Sequence, residues 1–283
     1  MTPKVMCSTL TLLLGWIALT ASSVALPQSI NSDSATADEI MERSQIAYYF
    51  AGEDAKGMLK MELIDRKGNT RQRVLTMLRR NHENNGGQKY FMYFHEPSDV
   101  RRLTFMIWKY PGRDDDRWIY VPAVDLIRRI AAEDKYSSFV GSDFSYEDVS
   151  GRNLSEDTHS LLDDETLDDR KVFVIESVPL APAAFTRRVS WIDKEHFLPL
   201  KIEYYDAQDR LQRIFTANSI EDIAAGEGDD SRVHPTAMKR TMENVRTGHR
   251  TEVTVTSVNY DIGLSDDDFS ERHMRRPPRA WIR

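Results

Sequence analysis

Two carboxylate runs, Asp114-Asp115-Asp116 and Asp163-Asp164-Glu165, are rich enough in side chains for acid/base work or calcium binding. The first lies in PGRDDDR between two strand-like segments, where such residues make turns. Neither run has the alternating oxygen-ligand spacing of a calcium loop. Histidines stand at positions 82, 95, 159, 196, 234, 249 and 273, too far apart for the close pairing that a metal site on one helix or hairpin displays. Nucleophile-elbow, phosphate-loop and dinucleotide fingerprints are missing. Cys7 is the single cysteine and lies in the apolar leader, so thiol catalysis, disulfides and cysteine metal sites are excluded from the mature chain. Carboxylates brought together from distant strands stay open as a hydrolytic alternative. No metal or cofactor is expected.

Arginine doublets recur at Arg79-Arg80, Arg101-Arg102, Arg128-Arg129 and Arg187-Arg188. Neighbours in a strand face opposite sides, so a doublet inside a strand aims one guanidinium inward, whereas one at a strand end stays wet. Strand ends are the expected place for most of them. An inward guanidinium needs partners, and its five donors suit a lid carbonyl or the ester and headgroup of a guest. Arg102, Arg128 and Arg129 are the candidates for that contact.

The rings raise a second question. In LTFMIW, Phe105 and Ile107 oppose Met106 and Trp108; in RWIYV, Trp118 and Tyr120 oppose Ile119 and Val121. Strands apolar on both faces are either covered on both sides or line a cavity on one of them. FVGSDFSYEDV sets Phe139, Phe144 and Tyr146 in a polar frame, which suits a rim loop closing over the sheet edge or a loop anchored to the core by its rings. Phe105, Ile107, Trp108, Trp118, Tyr120, Phe139, Phe144 and Tyr146 are therefore the candidate lining of an apolar chamber.

The elements that must position these residues are mostly strands. Asp38 is expected to cap a helix through EIMERSQIAYYF, with Ile40, Arg43, Ala47 and Phe50 near one face and Gly52 ending it. From Gly57 onward the period is two, in about a dozen runs joined by turns such as IDKEHFLP and YDAQDR. NLSEDTHSLL, Leu154 to Leu162, reads as a second helix, and Ile223 to Arg232 as a loose acidic loop. The fold class expected is mainly β: one curved antiparallel sheet or incomplete barrel, with a few helices.

The 283 residues are 40% hydrophobic and 29% charged, enough for one large core. Residues 1–25 read as a secretory signal cut after Ala25, residues 26–37 as a linker, and residues 38–283 as a single domain. A formal charge of -7 argues against nucleic acid. The arginine-rich ending ERHMRRPPRAWIR reads as a solvated basic arm, open to transient contact with a membrane surface.

The segments HEPSDVRRLTFMIW, DDDRWIYVPAVDLIRRI, FVGSDFSYEDV and WIDKEHFLPLKIEYYDAQDRLQR, taken in order, resemble the outer membrane lipoprotein-sorting protein family, which is LolA-like. The similarity runs from about Asp38 to DDDFSERHMRR. It implies an open antiparallel half-barrel whose apolar concave face lies beneath helices acting as a lid. It also implies a periplasmic carrier that binds the acyl chains of lipoproteins or other lipids, working between an inner-membrane donor, with RND-type exporters as associates, and an outer-membrane acceptor. At one place the chain departs from the family: Arg102 stands where the resemblance implies a glycine. A non-catalytic adaptor that binds an exporter through protein contacts is the rival reading.

Overall fold

The computed structural model describes residues 35–82, 86–226 and 231–282. The expected signal, most of the linker, and the centre of the acidic loop lie outside the described residues. Fourteen strands follow one another: β1 (Asp54–Ile64), β2 (Thr70–Asn81), β3 (Gln88–Glu96), β4 (Thr104–Lys109), β5 (Asp116–Val121), β6 (Leu126–Ile130), β7 (Asp157–Leu161), β8 (Glu165–Leu167), β9 (Arg170–Pro179), β10 (Arg187–Asp193), β11 (Pro199–Tyr205), β12 (Leu211–Ala225), β13 (Arg232–Asn244) and β14 (His249–Tyr260). They form one antiparallel sheet in the order β6-β5-β4-β3-β2-β1-β14-β13-β12-β11-β10-β9-β7, with β8 also paired to β9. The first six strands make one wing and the rest the other. The wings meet where β1 pairs with β14, from Ala55↔Tyr260 to Ile64↔Arg250. Because β6 and β7 remain the two edges, the sheet is an open half-barrel, as expected.

Period-two alternation decides which side chains face inward. In β1, Ala55, Leu59, Met61 and Leu63 are buried while their neighbours are partly exposed. β4 is apolar on both faces, and the two sides have different covers. Phe105 and Ile107 join the concave core with Leu75, Tyr90, Met92 and Phe94. Met106 joins Leu78, Phe91 and Tyr120 on the convex side, beneath Leu264, Phe269 and Met274. Each fully buried large apolar side chain contributes about 1.5–3 kcal/mol, so the double-sided wing is a strongly held part of the fold.

Phe269 and Met274 correct the expected solvated arm. Residues Asp266–Phe269 form a 3-10 turn, and α3 (Glu271–Arg275) follows it along the convex face. The Thr104 hydroxyl donates to the Met274 carbonyl at 3.0 Å and the Trp108 indole to that of Phe269 at 3.0 Å. The arginines of this segment point outward: Arg272 pairs with Asp267 and Arg275 with Asp125.

The first helix, α1 (Ala37–Tyr49), begins two residues earlier than expected. Thr36 rather than Asp38 caps it, with Glu39 completing a reciprocal capping box. Leu154 to Leu162 is not a helix: a 3-10 turn at Leu154–Glu156 leads into the edge strand β7. Only Asp157 of this edge strand is buried, so the segment carries no period-two alternation in its sequence. Ile223 to Ala225 continue β12 rather than opening a loop. α2 (Tyr146–Ser150) sits in the segment joining the wings, capped by Ser145 and Asp148.

The Asp114–Asp116 run does not form the turn expected of it but follows the turn at 111–113 and enters β5 at Asp116, and Asp115 is buried, paired with Arg117 at 2.7 Å and 3.8 Å from the Lys109 amine. Arg102, the departure from the family pattern, has a φ of 68° in the loop between β3 and β4, while its N–H donates to Phe94 O at 2.8 Å. A left-handed backbone is the conformation that favours glycine, the residue that the motif resemblance implies at this place. Arg102→Gly is expected to leave stability unchanged or raise it by up to about 1 kcal/mol, whereas Arg102→Val costs about 1–2 kcal/mol. Urea denaturation of the two variants measures both. A clear loss with glycine would show that the arginine side chain, not the backbone, matters there.

Candidate functional site

The site is an apolar trough on the concave face, roofed by α1 and by the segment 137–152 that carries α2. Beneath the roof lies a cavity of about 150 Å³ lined by Leu59, Met61, Leu75, Met77, Met92 and Val253 among others. A second space of about 70 Å³ continues toward Met41, Phe185 and Met242. Tyr48, Tyr49, Phe144 and Asp148 border both, so these four side chains divide one trough into two chambers. A dry cavity near 150 Å³ holds a molecule of benzene's size. The closed trough is therefore too small for a long acyl chain.

α1 crosses the trough as a strap. Ile40 and Met41, in its first turn, pack on Phe173, Ile175 and Ile192 of the far wing. Its last turn is held by the near wing through polar contacts. The carbonyls at a helix end lack partners within the helix, and here β2 and the start of β3 supply them. Arg79 donates to Tyr49 O at 2.9 Å and to Ala51 O, and Gln88 donates to Tyr49 O at 2.7 Å. Asn81 donates to Phe50 O at 3.1 Å and Gly52 O at 2.7 Å. On the other side of the seam, Arg240 donates to the Tyr48 hydroxyl at 3.1 Å. Burial pulls the Arg79 guanidinium below its ordinary range and pushes the Tyr49 and Tyr90 hydroxyls well above theirs.

The α2 segment is fixed by charge. Arg213 reaches Asp148 at 2.7 Å, and Thr251 and Asp143 exchange two hydrogen bonds of 2.9 and 2.8 Å. Lys109 donates to Gly151 O at 2.7 Å. Arg152 meets Glu147 at 2.9 Å, Glu156 at 3.0 Å and Asp157 at 2.8 Å, and Asp157 also holds Arg188 at 3.0 Å. Gly151, with a φ of 80°, lies so close to Tyr49 that a Cβ there would stand 3.0 Å from its ring. That contact and the bond from Tyr49 Oη to Asp148 O, at 3.2 Å, join the two roof helices.

The sequence candidates divide by face. Phe139 and Tyr146 stack on Phe105, at 5.4 and 5.1 Å between ring centroids, in the concave core. Phe139 and Phe144 also border the larger cavity. FVGSDFSYEDV is thus a plug seated in the trough rather than a polar rim loop, and Phe139 is only 2% exposed. Ile107 lies in the same core without bordering the cavity. Trp108, Trp118 and Tyr120 belong to the convex face beneath the C-terminal segment, with the two indoles 5.2 Å apart. Arg102, Arg128 and Arg129 are exposed, and Arg129 pairs with Asp116.

Three doublets lie inside strands rather than at their ends; Arg128-Arg129, on the edge strand β6, is exposed at both positions, while the other two follow the alternation. Arg79 and Arg188 turn inward and are buried, while Arg80 pairs outside with Asp266 and Arg187 with Asp209. Sequence reading missed Arg79, Gln88 and Arg240 as the residues that hold the roof. The doublet was the visible signal for Arg79, but choosing its inward member requires the Ala55↔Arg79 register of β1 and β2. The ligand atoms of Asp193, Glu195 and His196 gather within 4.8 Å of one another. Asp193 is already engaged there, accepting from the His196 N–H at 3.0 Å and pairing with Arg170 at 3.3 Å across the hairpin. Among the described residues, no helix is long and apolar enough to cross a membrane.

An open half-barrel with a helical strap over an apolar trough is the LolA-like architecture, and comparisons with known proteins agree. A protein-family model described as "Uncharacterized protein" matches residues 86–276, and the chain belongs to that family. No curated protein matches it. A domain described as a putative outer membrane lipoprotein-sorting protein, from Vibrio parahaemolyticus, is 27% identical with a TM-score of 0.74, over 87% of this chain and 100% of its own. A DUF1329 family protein from Desulfovibrio piger is 26% identical with a TM-score of 0.74, over 83% of this chain and 95% of its own. A LolA superfamily protein from Nitrosomonas europaea shares the fold, with a TM-score of 0.64 at 18% identity over 85% of this chain and 100% of its own. The resemblance read from the motifs is borne out.

Burial would raise the Asp148 carboxyl, but Arg213 and the Ser145 N–H and hydroxyl outweigh it and hold the group below its ordinary range. A depressed folded value stabilises the fold above the unfolded value near 4 and loses that contribution as pH falls through the lower one. Asp148→Asn is expected to cost about 2 kcal/mol at pH 7, because it leaves Arg213 without its counter-charge. The melting-temperature gap between variant and parent should close as pH falls below about 4. A gap independent of pH would mean that the charge of Asp148 contributes nothing.

Proposed function

We propose that the protein is a non-catalytic periplasmic carrier that hides an acyl chain of a lipoprotein or another lipid in the trough beneath α1 and the α2 segment. The observation that carries this reading is an apolar trough roofed by a strap whose last turn is held by hydrogen bonds to its carbonyls as well as by Tyr48 packed on the core. Each methylene withdrawn from water is worth about 0.8 kcal/mol, so a long chain needs a dry container to cross an aqueous compartment. The trough is closed by its own roof, which competes with the guest. That competition lowers the net affinity and keeps transfer reversible. Delivery toward the outer membrane, and work beside an RND-type exporter, are the finer parts of the proposal; they rest on the likeness to lipoprotein-sorting proteins.

Two measurements test it. Native mass spectrometry of protein purified without detergent should find acylated species bound; a clean apo mass together with tight binding to an exporter would favour the adaptor instead. A neutral fluorescent acyl probe should enter the trough, and Met77→Asp should weaken it tenfold or more by placing a carboxylate among the lining methylenes and sulfurs. Trp118→Asp, on the opposite face, should lower the melting temperature without changing probe affinity. The reverse pattern would move the binding face to the convex side and overturn the assignment.

A further inference from the structure

The larger cavity holds two guanidiniums that have hydrogen bonds but no ion-pair partner among the described residues, although the charges of Asp54 and Asp261 favour the Arg79 cation. Arg79 is 6% exposed, and its acceptors are Tyr49 O, Ala51 O and the Asn81 side-chain oxygen, all neutral. Arg240 donates to the Tyr48 hydroxyl, and its Nε is buried with no hydrogen-bond partner among the described residues. Neither arginine forms an ion pair among the described residues, although the neighbouring Arg213 is paired with Asp148 and Arg188 with Asp157. Both border the same cavity, reaching it from opposite sides of the β1–β14 seam.

A guanidinium satisfied by carbonyls keeps its hydrogen bonds but not its charge balance, and in an apolar wall that charge is costly. An oxyanion supplies both at once, through paired N–H donors of fixed geometry. The remainder of the wall is aliphatic, aromatic and methionine-bearing, and the one carboxylate among the described residues lining it, Asp148, is already paired with Arg213. The matching guest therefore has one anionic end and a long apolar tail.

On the carrier reading above, we infer that the trough takes an anionic amphiphile, with its oxyanion headgroup bound by Arg79 and Arg240 in place of Tyr48, Tyr49 and Ala51. A neutral chain of equal length has no such exchange to offer.

The test compares guests of one chain length on the unmodified mature protein: oleate, oleyl alcohol and an oleoyl lysophosphatidic acid, each displacing a neutral fluorescent acyl probe, with inorganic phosphate as a tailless control. Hydrogen bonds to a charged group favour the anions by about tenfold or more over the alcohol. Inorganic phosphate at millimolar concentration should displace nothing, and the better of carboxylate and phosphate identifies the headgroup class. Arg240→Gln should bring the oleate-to-alcohol ratio near one, and Arg240→Lys should restore part of it. Because the readout is a ratio within each variant, a general loss of stability does not imitate the effect. Equal binding of oleate and oleyl alcohol, or an unchanged ratio in Arg240→Gln, overturns the headgroup inference and leaves the carrier reading standing. Failure of every amphiphile and of the probe to bind overturns the carrier reading itself.

Discussion

Carbonyl oxygens at the end of an α-helix need donors, and in this protein the donors come from the opposite wall of the trough they cover. That single constraint links the first helix, the second and third strands and the cavity beneath them. If Arg79, Gln88 and Asn81 were replaced by apolar residues, the carbonyls of Tyr49, Phe50, Ala51 and Gly52 would face a dry wall unpaired, at about 1–3 kcal/mol each. The strap and the polar rim of the cavity are in this sense one structure. Neither is stable in this position without the other.

The two parts of the roof are held by different physics. Asp148, Glu147, Glu156 and Asp157 tie the α2 segment to Arg213, Arg152 and Arg188 through paired charges, which are costly to break singly because each rupture leaves a buried ion alone. α1 meets the near wing through neutral acceptors, which water or another acceptor can replace with smaller loss. Its first turn, by contrast, is packed on the far wing through Ile40 and Met41. Opening therefore favours release of the C-terminal end of α1 while its N-terminal end stays docked and the α2 segment stays seated.

Much of the architecture was legible because strands announce themselves by period, and a dozen period-two runs with no intervening helices leave little besides an open or closed antiparallel sheet. The doubly apolar strands LTFMIW and RWIYV correctly required a cover on both faces. Sequence could not say which face was which, since Phe105 and Trp118 look alike until strand register and sheet curvature assign them to the concave and convex sides. The C-terminal segment misled for a related reason: its arginines dominate the composition, while Phe269 and Met274, the residues that anchor it, are few and widely spaced. Arg240 gave no signal, because a lone arginine in TAMKRTMENV has the ordinary look of a wet strand position.

A carrier that only hid grease could line its trough with leucine and methionine throughout, and much of this wall is built that way. Arg79 and Arg240 depart from that economy, and an unneutralised cation in an apolar wall persists only where the surrounding structure, or a guest, offsets it. The strap offsets part of it with neutral oxygens. What remains is a residual attraction for negative charge, in the place where binding must compete with the strap. Arg79 and Arg240 thereby serve both the strap, which Gln88 and Asn81 also hold, and the preference for a guest, so substituting either arginine alters the two together.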